Sequence, residues 1–367
     1  MSRILVSSVR YPHPNGDKAL MYVHVRNVFY VSKGLDVTVL NFGTSEDYDI
    51  DGIHVISLDS YQKNPEKFDV FVAHAAQLES HYPFLQQYGD NFKKYVFFFH
   101  GYEVLRVNKV YPKPYSYIQP NPFKRLYQYL YDEIHDYKKL RIWRKFFLKY
   151  YEKMHFVFVS KWMLEEFLKW TKVPYSIIQD RYMITYNCVS KPFENNCYNI
   201  DTPKEYDFIT IRANINGSKY CIDIVNKLAY SNPQNSFLVI GKGDFFTYNE
   251  KAPNIIWLNQ TMKHEEIISY LQKSKCALMP TRTDAQGVMM CEMATLGMPV
   301  ITSDIPVCHE VLDDFENVSF IKNDNTNIQL KMIYDSLAKK NPYTKNEKYY
   351  NENTSYKEVI LLNSLMK

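Results

Sequence analysis

No stretch of this 367-residue sequence approaches the roughly 18 to 20 consecutive apolar residues that a helix needs to cross a bilayer. The opening Met1-Ser-Arg-Ile-Leu-Val-Ser-Ser-Val9 is too short for the apolar core of a secretion signal, and its β-branched content suits a buried first strand. Cysteine is sparse: Cys188, Cys197, Cys221, Cys276, Cys291 and Cys308 make neither the C-x-x-C pairs of a zinc site nor the density of a secreted disulfide scaffold. Reduced thiols and a cytoplasmic location are therefore expected. An excess of one charge is missing too, since 44 Lys and Arg face 40 Asp and Glu, and a net +4 does not by itself imply nucleic-acid binding. Where a dinucleotide-binding fold carries G-x-G-x-x-G after its first strand, this chain has Ser7-Ser-Val-Arg-Tyr-Pro-His-Pro-Asn-Gly-Asp17, and it has no P-loop. Both absences argue against a dehydrogenase or a P-loop kinase. Internal repeats and low-complexity tracts are lacking as well.

What is present is an ordinary globular composition, 46% hydrophobic and 23% charged, on a chain longer than one hydrophobic core usually supports. Short apolar runs alternate with longer helical patterns: Ile4 to Val9, Val37 to Phe42, Val70 to Ala73, Tyr95 to Phe99, Phe156 to Val159 and Ile184 to Tyr186. After a polar stretch, Ser190 to Glu205, the rhythm restarts with Phe208 to Ile211, Phe237 to Ile240, Ile255 to Leu258, Ala277 to Met279 and Val300 to Thr302. The spacing predicts an α/β protein of two doubly wound domains, 1–189 and 190–350. A helix over 351–367 lies outside the alternation and is expected to pack back on the N-terminal domain.

The most informative stretch runs from Pro280 to Asp304 and parses as strand end, loop, helix, turn and strand. Gly287 permits close backbone approach, a helix starts near Val288, Gly297 can take a left-handed cap, and Pro299 blocks continuation. The amides of Val288 and Met289 then face the loop, and with the helix dipole they form an anion site suited to a pyrophosphate. Asp284 stands on the loop before it. Glu292 sits in the helix among Met289, Met290, Cys291, Met293 and Ala294, and a carboxylate buried there needs a partner, which ribose hydroxyls would supply.

This segment resembles the E-x7-E region of the retaining GT-B glycosyltransferases of family 4, with Asp284 where the family has its first Glu and Glu292 as the second. Further matches follow in order. Arg212 and Lys219 resemble the family's phosphate-binding Arg and Lys, Gly241 and Gly243 its Gly-x-Gly turn, Tyr186-Asn-Cys188 its junction turn, His100-Gly101 its N-domain histidine, and Ser160 its strand-end serine. The resemblance implies two Rossmann-like domains facing a central cleft, a nucleotide-diphosphate hexose donor in the C-terminal domain, and a glycan or lipid-linked glycan acceptor. It implies transfer with retention, in bacterial surface polysaccharide or glycoconjugate synthesis. A sugar-nucleotide epimerase, a phosphorylase or an inactive partner subunit shares the same fold. Neither a cofactor nor a metal is expected, because Arg212, Lys219 and a helix terminus already supply positive potential and the acidic run Asp47-Tyr-Asp-Ile-Asp51 is remote in sequence.

Each residue also has a plainer reading. Arg212 and Lys219 would serve as a solvated loop pair, Gly241 and Gly243 as a simple turn, and His100 as a satisfied core histidine. Asn15, Gly16 and Asp17 read either as a surface turn or as a first βα loop closing over the phosphates. Between Gln119 and His155, nine Lys and Arg stand against four Asp and Glu, interleaved with Phe123, Tyr127, Tyr131, Trp143, Phe146, Phe147 and Tyr150. That segment reads as a helix docked on an anionic membrane surface, making the enzyme peripheral, or as a solvated helix face covering the core.

Overall fold

The computed structural model describes residues 3–16, 19–339 and 345–367. The chain divides into two compact units, one of Met1–Val107, Glu133–Cys188 and Tyr350–Lys367, the other of Asn108–Asp132 and Val189–Tyr349. Residues 108–132, which the strand rhythm leaves in the N-terminal half, therefore cluster with the second unit.

In the first unit, β1 (Arg3–Ser8), β2 (Asp36–Asn41), β3 (Tyr48–Ile50), β4 (Ile53–Ser57), β5 (Phe68–His74), β6 (Phe92–Phe99), β7 (Met154–Phe158) and β8 (Tyr182–Ile184) form one sheet in the order β3-β4-β2-β1-β5-β6-β7-β8. Every neighbouring pair is parallel except β3 on β4. Parallel strands covered on both faces read as unbroken apolar runs, and Ile4, Leu5, Val6, Val70, Phe71, Val72 and Phe97 are all buried. The helix Met21–Ser32 packs on this core through Val23, Phe29 and Tyr30.

The C-terminal helix Ser355–Leu365 belongs to the same unit and contributes Val359 and Leu362 to its core. It is locked there by Glu358, which accepts from Arg26 Nε at 3.2 Å and from the Tyr30 hydroxyl. Arg26 also donates to Asn187 Oδ1 at 2.9 Å. All these groups are buried, and removing one partner of such a pair typically costs about 3 to 5 kcal/mol because the other charge stays behind.

The second unit has β9 (Tyr206–Asn214), β10 (Phe237–Lys242), β11 (Ile255–Leu258), β12 (Ser274–Met279), β13 (Val300–Ser303) and β14 (Val318–Ile321), all parallel, in the order β11-β10-β9-β12-β13-β14. In both sheets the chain first winds one way and then returns past its starting strand. The reversal falls between β1 and β5 in the first sheet and between β9 and β12 in the second. The loops leaving neighbouring strands diverge there, which opens a crevice at the carboxyl ends where open α/β sheets bind ligands.

The hairpin β3–β4 and the edge strand β14 lie outside the apolar runs read from the sequence. Asp51 and Gly52 join β3 to β4 with φ of 49° and 77°, the left-handed pair that a two-residue hairpin turn requires.

Candidate functional site

In the second unit, the two strands flanking the reversal deliver the sequence-derived residues to one place. Arg212 lies near the carboxyl end of β9 and Asp284 on the loop after β12. Arg212 Nη2 donates to the carbonyl of Pro280 at 2.6 Å, tying the two strand ends together. Arg212 is buried, its Nε has no partner among the described residues, and no carboxylate forms an ion pair with it there. Burial pulls its pKa below the ordinary arginine value, while Cys221 and then Asp284 pull it back up. A desolvated guanidinium with unused donors is a strong site for an anion.

Lys219 sits in the turn Ser218–Tyr220, its ammonium 4.8 Å from the centre of the Tyr220 ring and 5.6 Å from that of Tyr111. The backbone of that turn is held from the opposite loop. The Lys219 carbonyl accepts from Arg282 N at 2.9 Å and Thr281 Oγ1 at 3.1 Å, and Ser218 O accepts from Arg282 Nη1. Arg282 in turn forms a two-point pair with Asp223, at 2.9 and 2.6 Å, and Tyr115 donates to Asp223 at 2.7 Å. The strap 111–117 thus braces the cationic turn from the second unit's own first segment. None of Thr281, Arg282, Asp223, Tyr111 and Tyr115 is marked by sequence pattern.

Helix Val288–Leu296 begins at Gly287 with no side-chain cap, so no N-cap side chain takes up its first amides, those of Val288 and Met289 included. Gly287 itself has φ −73°, and a Cβ there would meet only the Met290 side chain, so its backbone conformation does not demand glycine. Gly241 and Gly243 do demand it. Gly241 lies at the end of β10 and Gly243 just after it, at φ 157° and 145°, and a Cβ on Gly241 would collide with the carbonyl of Arg212. The Gly-x-Gly turn therefore lies directly against the end of β9. Asp284 caps its own loop by accepting from Ala285 N at 2.9 Å.

Glu292 is buried and already has a partner in the protein for one of its oxygens: Ser190 donates to Oε1 from its hydroxyl at 3.0 Å and from its backbone at 3.3 Å. Burial raises the Glu292 pKa, opposed by His264 and these Ser190 bonds. A ribose is thus not needed to explain a carboxylate at this position.

In the first unit, His100 follows β6 and His74 ends β5, beside the other reversal point. His74 Nδ1 and His100 Nε2 are 3.0 Å apart, Tyr22 packs on the His100 ring at 4.6 Å, and Glu103 accepts from the backbone amides of His100 and Gly101. Both histidines are held well below the usual imidazole range, by burial first, and Glu103 is pushed up by burial. One imidazole must donate to the other, so the two histidines form a neutral hydrogen-bonding pair.

Gly16 lies in a turn of the first unit, φ 104°, donating to His13 O at 2.9 Å, and a Cβ there would meet none of the described residues; Asp17 lies outside them. Ser160 caps the following helix by accepting from Met163 N at 3.1 Å. The carboxylates of Asp47, Asp49 and Asp51 are engaged by Ser57 N, His54 and His24, and no group of three or more metal-ligating side chains occurs among the described residues.

The chain has known counterparts. Residues 204–354 match the family model described as glycosyl transferases group 1. A stretch of 86 residues is 34% identical to the O-antigen biosynthesis glycosyltransferase WclY of Escherichia coli; it covers 23% of this chain and 23% of that protein. Over its full length the chain is similar in fold to the sucrose-phosphate synthase of Thermosynechococcus elongatus, with TM-score 0.68, 13% identity, and 100% and 99% of the two chains covered. It is likewise similar to HepE of Anabaena, solved in complex with UDP and glucose, with TM-score 0.63, 10% identity, and 100% and 97% covered. The match to the glycosyl transferases group 1 model spans residues 204–354, which hold Arg212, Lys219, Asp284 and Glu292, and the whole chain adopts the GT-B fold.

Proposed function

We propose that this protein transfers a hexose-type sugar from a nucleotide-diphosphate donor to a glycan acceptor carried on a lipid, with retention of the anomeric configuration and without a divalent metal. The observation that carries this reading is the convergence of Arg212, Lys219 and the uncapped helix at Gly287 on the reversal point of a group 1 domain. The UDP and glucose held by HepE, and the O-antigen role in the name of WclY, support the donor class and the product class.

In this reading the pyrophosphate lies on Arg212, Lys219 and the amides of Val288 and Met289, which stabilise the negative charge that develops as the glycosidic bond breaks. Asp284 orients the sugar hydroxyls, Gly241 and Gly243 let the backbone approach the base, and the second oxygen of Glu292 is left for the ribose. His100 supplies a neutral imidazole for the sugar or acceptor. The three cationic features take the place of a metal at the leaving group. The free thiols of all six cysteines support a reducing, cytoplasmic setting. The test is a transfer reaction with excess EDTA, followed by NMR of the product's anomeric proton. Retention with undiminished rate is expected; loss of activity restored by Mg²⁺ or Mn²⁺, or an inverted centre, would overturn the mechanism.

A further inference from the structure

Arg212 and Lys219 bring two like charges to the end of β9 and the turn that follows it, and no carboxylate forms an ion pair with either among the described residues. Such charges repel each other, and an unpaired lysine has several rotamers to lose when an anion binds. Tyr220 meets both problems. The centre of its ring is 4.8 Å from the Lys219 ammonium and 5.3 Å from the central carbon of the Arg212 guanidinium, and the Tyr111 ring, at 5.6 Å, offers Lys219 a second face. The negative face of an aromatic ring attracts a cation within about 6 Å. Unlike a carboxylate it carries no net charge, so it draws the cations into place and leaves their charge for a ligand.

The ring has a seat of its own. Gly217 has φ −75° and ψ 115°, a backbone conformation open to any residue, yet a Cβ there would stand 2.9 and 3.1 Å from Cδ2 and Cε2 of Tyr220. The ring, and not the turn, is what requires glycine at this position. Tyr220 N donates to Gly217 O at 2.9 Å, which closes the turn and holds the ring over the missing side chain. The Tyr220 hydroxyl has no hydrogen-bond partner among the described residues, so what the residue supplies is its face. Gly217, Lys219, Tyr220, Arg212 and Tyr111 all belong to the second unit.

We infer that Tyr220, seated on Gly217, is a positioning residue of the anion site: its ring holds the Lys219 ammonium beside the Arg212 guanidinium before the donor arrives, without neutralising either. The inference rests on the proposed role of these two cations as the pyrophosphate site. A carboxylate in the same place would compete with pyrophosphate for both of them, and the ring does not. A side chain already ordered in the free protein adds no ordering cost on binding, whereas an unheld lysine lowers affinity by a factor of roughly two to ten.

Calorimetric titration of the full chain with UDP, GDP and ADP, with thermal melts on the same preparations, tests this. Tyr220→Leu, which keeps bulk but has no aromatic face, should weaken nucleotide binding roughly two- to tenfold, with a Tm within about 4 °C of wild type. Tyr220→Phe should bind as wild type does. Gly217→Ala keeps the ring but pushes it from its seat, and should weaken binding as the leucine variant does. Tyr220→Glu, which gives the cations a charge to pair with, should bind more weakly than Tyr220→Leu. Binding unchanged in the leucine or glutamate variant, or not restored in the phenylalanine variant, overturns the inference and leaves the pyrophosphate site standing. A loss of binding that only follows a loss of folding, seen as a collapsed melt in both Tyr220→Leu and Gly217→Ala, makes the ring structural and overturns it as well. A wild type that binds none of the three nucleotides, or an Arg212→Ala variant that binds as wild type does, removes the site itself and the inference with it.

Discussion

The two units place their candidate residues at the same point of the same topology, the carboxyl ends of the strands that flank a sheet's reversal, yet the two points differ in charge. In the second unit the reversal carries a buried guanidinium, a lysine and a helix N-terminus with no carboxylate ion pair at either cation among the described residues. In the first it carries two imidazoles held neutral by burial and a carboxyl whose pKa is raised. In the proposed reading the winding fixes where a ligand sits, and the side chains decide what it is: an anion at one point, a hydroxyl-bearing neutral group at the other.

The sharpest way to break this contrast is to remove the cation at its centre. Arg212→Met should lower kcat/KM by roughly a hundred- to a thousandfold, since a lost electrostatic donor of this kind costs about 3 to 4 kcal/mol. Its Tm should stay unchanged or rise, because a desolvated and unpaired charge leaves the interior. Steady-state kinetics and a thermal melt on one preparation check both halves. A variant that loses activity only because it unfolds would make Arg212 structural.

A smaller effect is expected one step back. Asp223→Asn breaks the two-point pair with Arg282 that braces the Lys219 turn. Stability should fall by about 1 to 3 kcal/mol, and kcat/KM by roughly tenfold, an order-of-magnitude figure for a positioning defect well inside the loss that misplacing a reacting group can cause. Asp223→Glu should recover part of the activity. A denaturant melt together with kinetics separates the bracing role from a merely structural one, which would leave kcat/KM intact.

The gentlest test concerns the neutral side. His81, fully buried in the first unit, titrates at about 3 in place of 6.5, chiefly through burial. The unfolded chain takes up a proton that the native state refuses, so this contribution is complete above pH 6.5 and is lost as pH falls through the window down to about 3. His81→Asn, whose amide oxygen can accept from Gln77 N as the ring does, should flatten the fall in stability by about 1.4 kcal/mol per pH unit in that window. Denaturant melts at a series of pH values measure the slope. An unchanged slope would mean that His81 is charged in the fold.

The sequence shows the buried parallel strands well, because a strand covered on both faces must be apolar throughout, as in Ile4-Leu5-Val6 and Tyr95 to Phe99. It shows the proposed phosphate site for a related reason, since Arg212, Asp284 and Gly287 lie at strand ends and a helix start that local pattern can locate. Edge elements escape that logic. β3 has three residues and β14 four, and only Asp51-Gly52 announces the hairpin. Polar pairs distant along the chain escape it too: Asp223 with Arg282 and Ser190 with Glu292 join residues that nothing local associates. The placement of 108–132 with the second unit rests on contacts such as Tyr115 to Asp223, which become visible only once the chain is folded.

The central claim, that the cationic reversal point and not the neutral one binds the donor's pyrophosphate, is tested most directly by calorimetric titration with UDP, GDP and ADP. Wild type is expected to bind one of them. Arg212→Ala and Lys219→Ala should each weaken that binding more than tenfold, in line with lost charge-assisted contacts to a phosphate, while His74→Ala and His100→Ala leave it unchanged. Binding that survives removal of both cations, or that is lost with the histidines, would contradict the account.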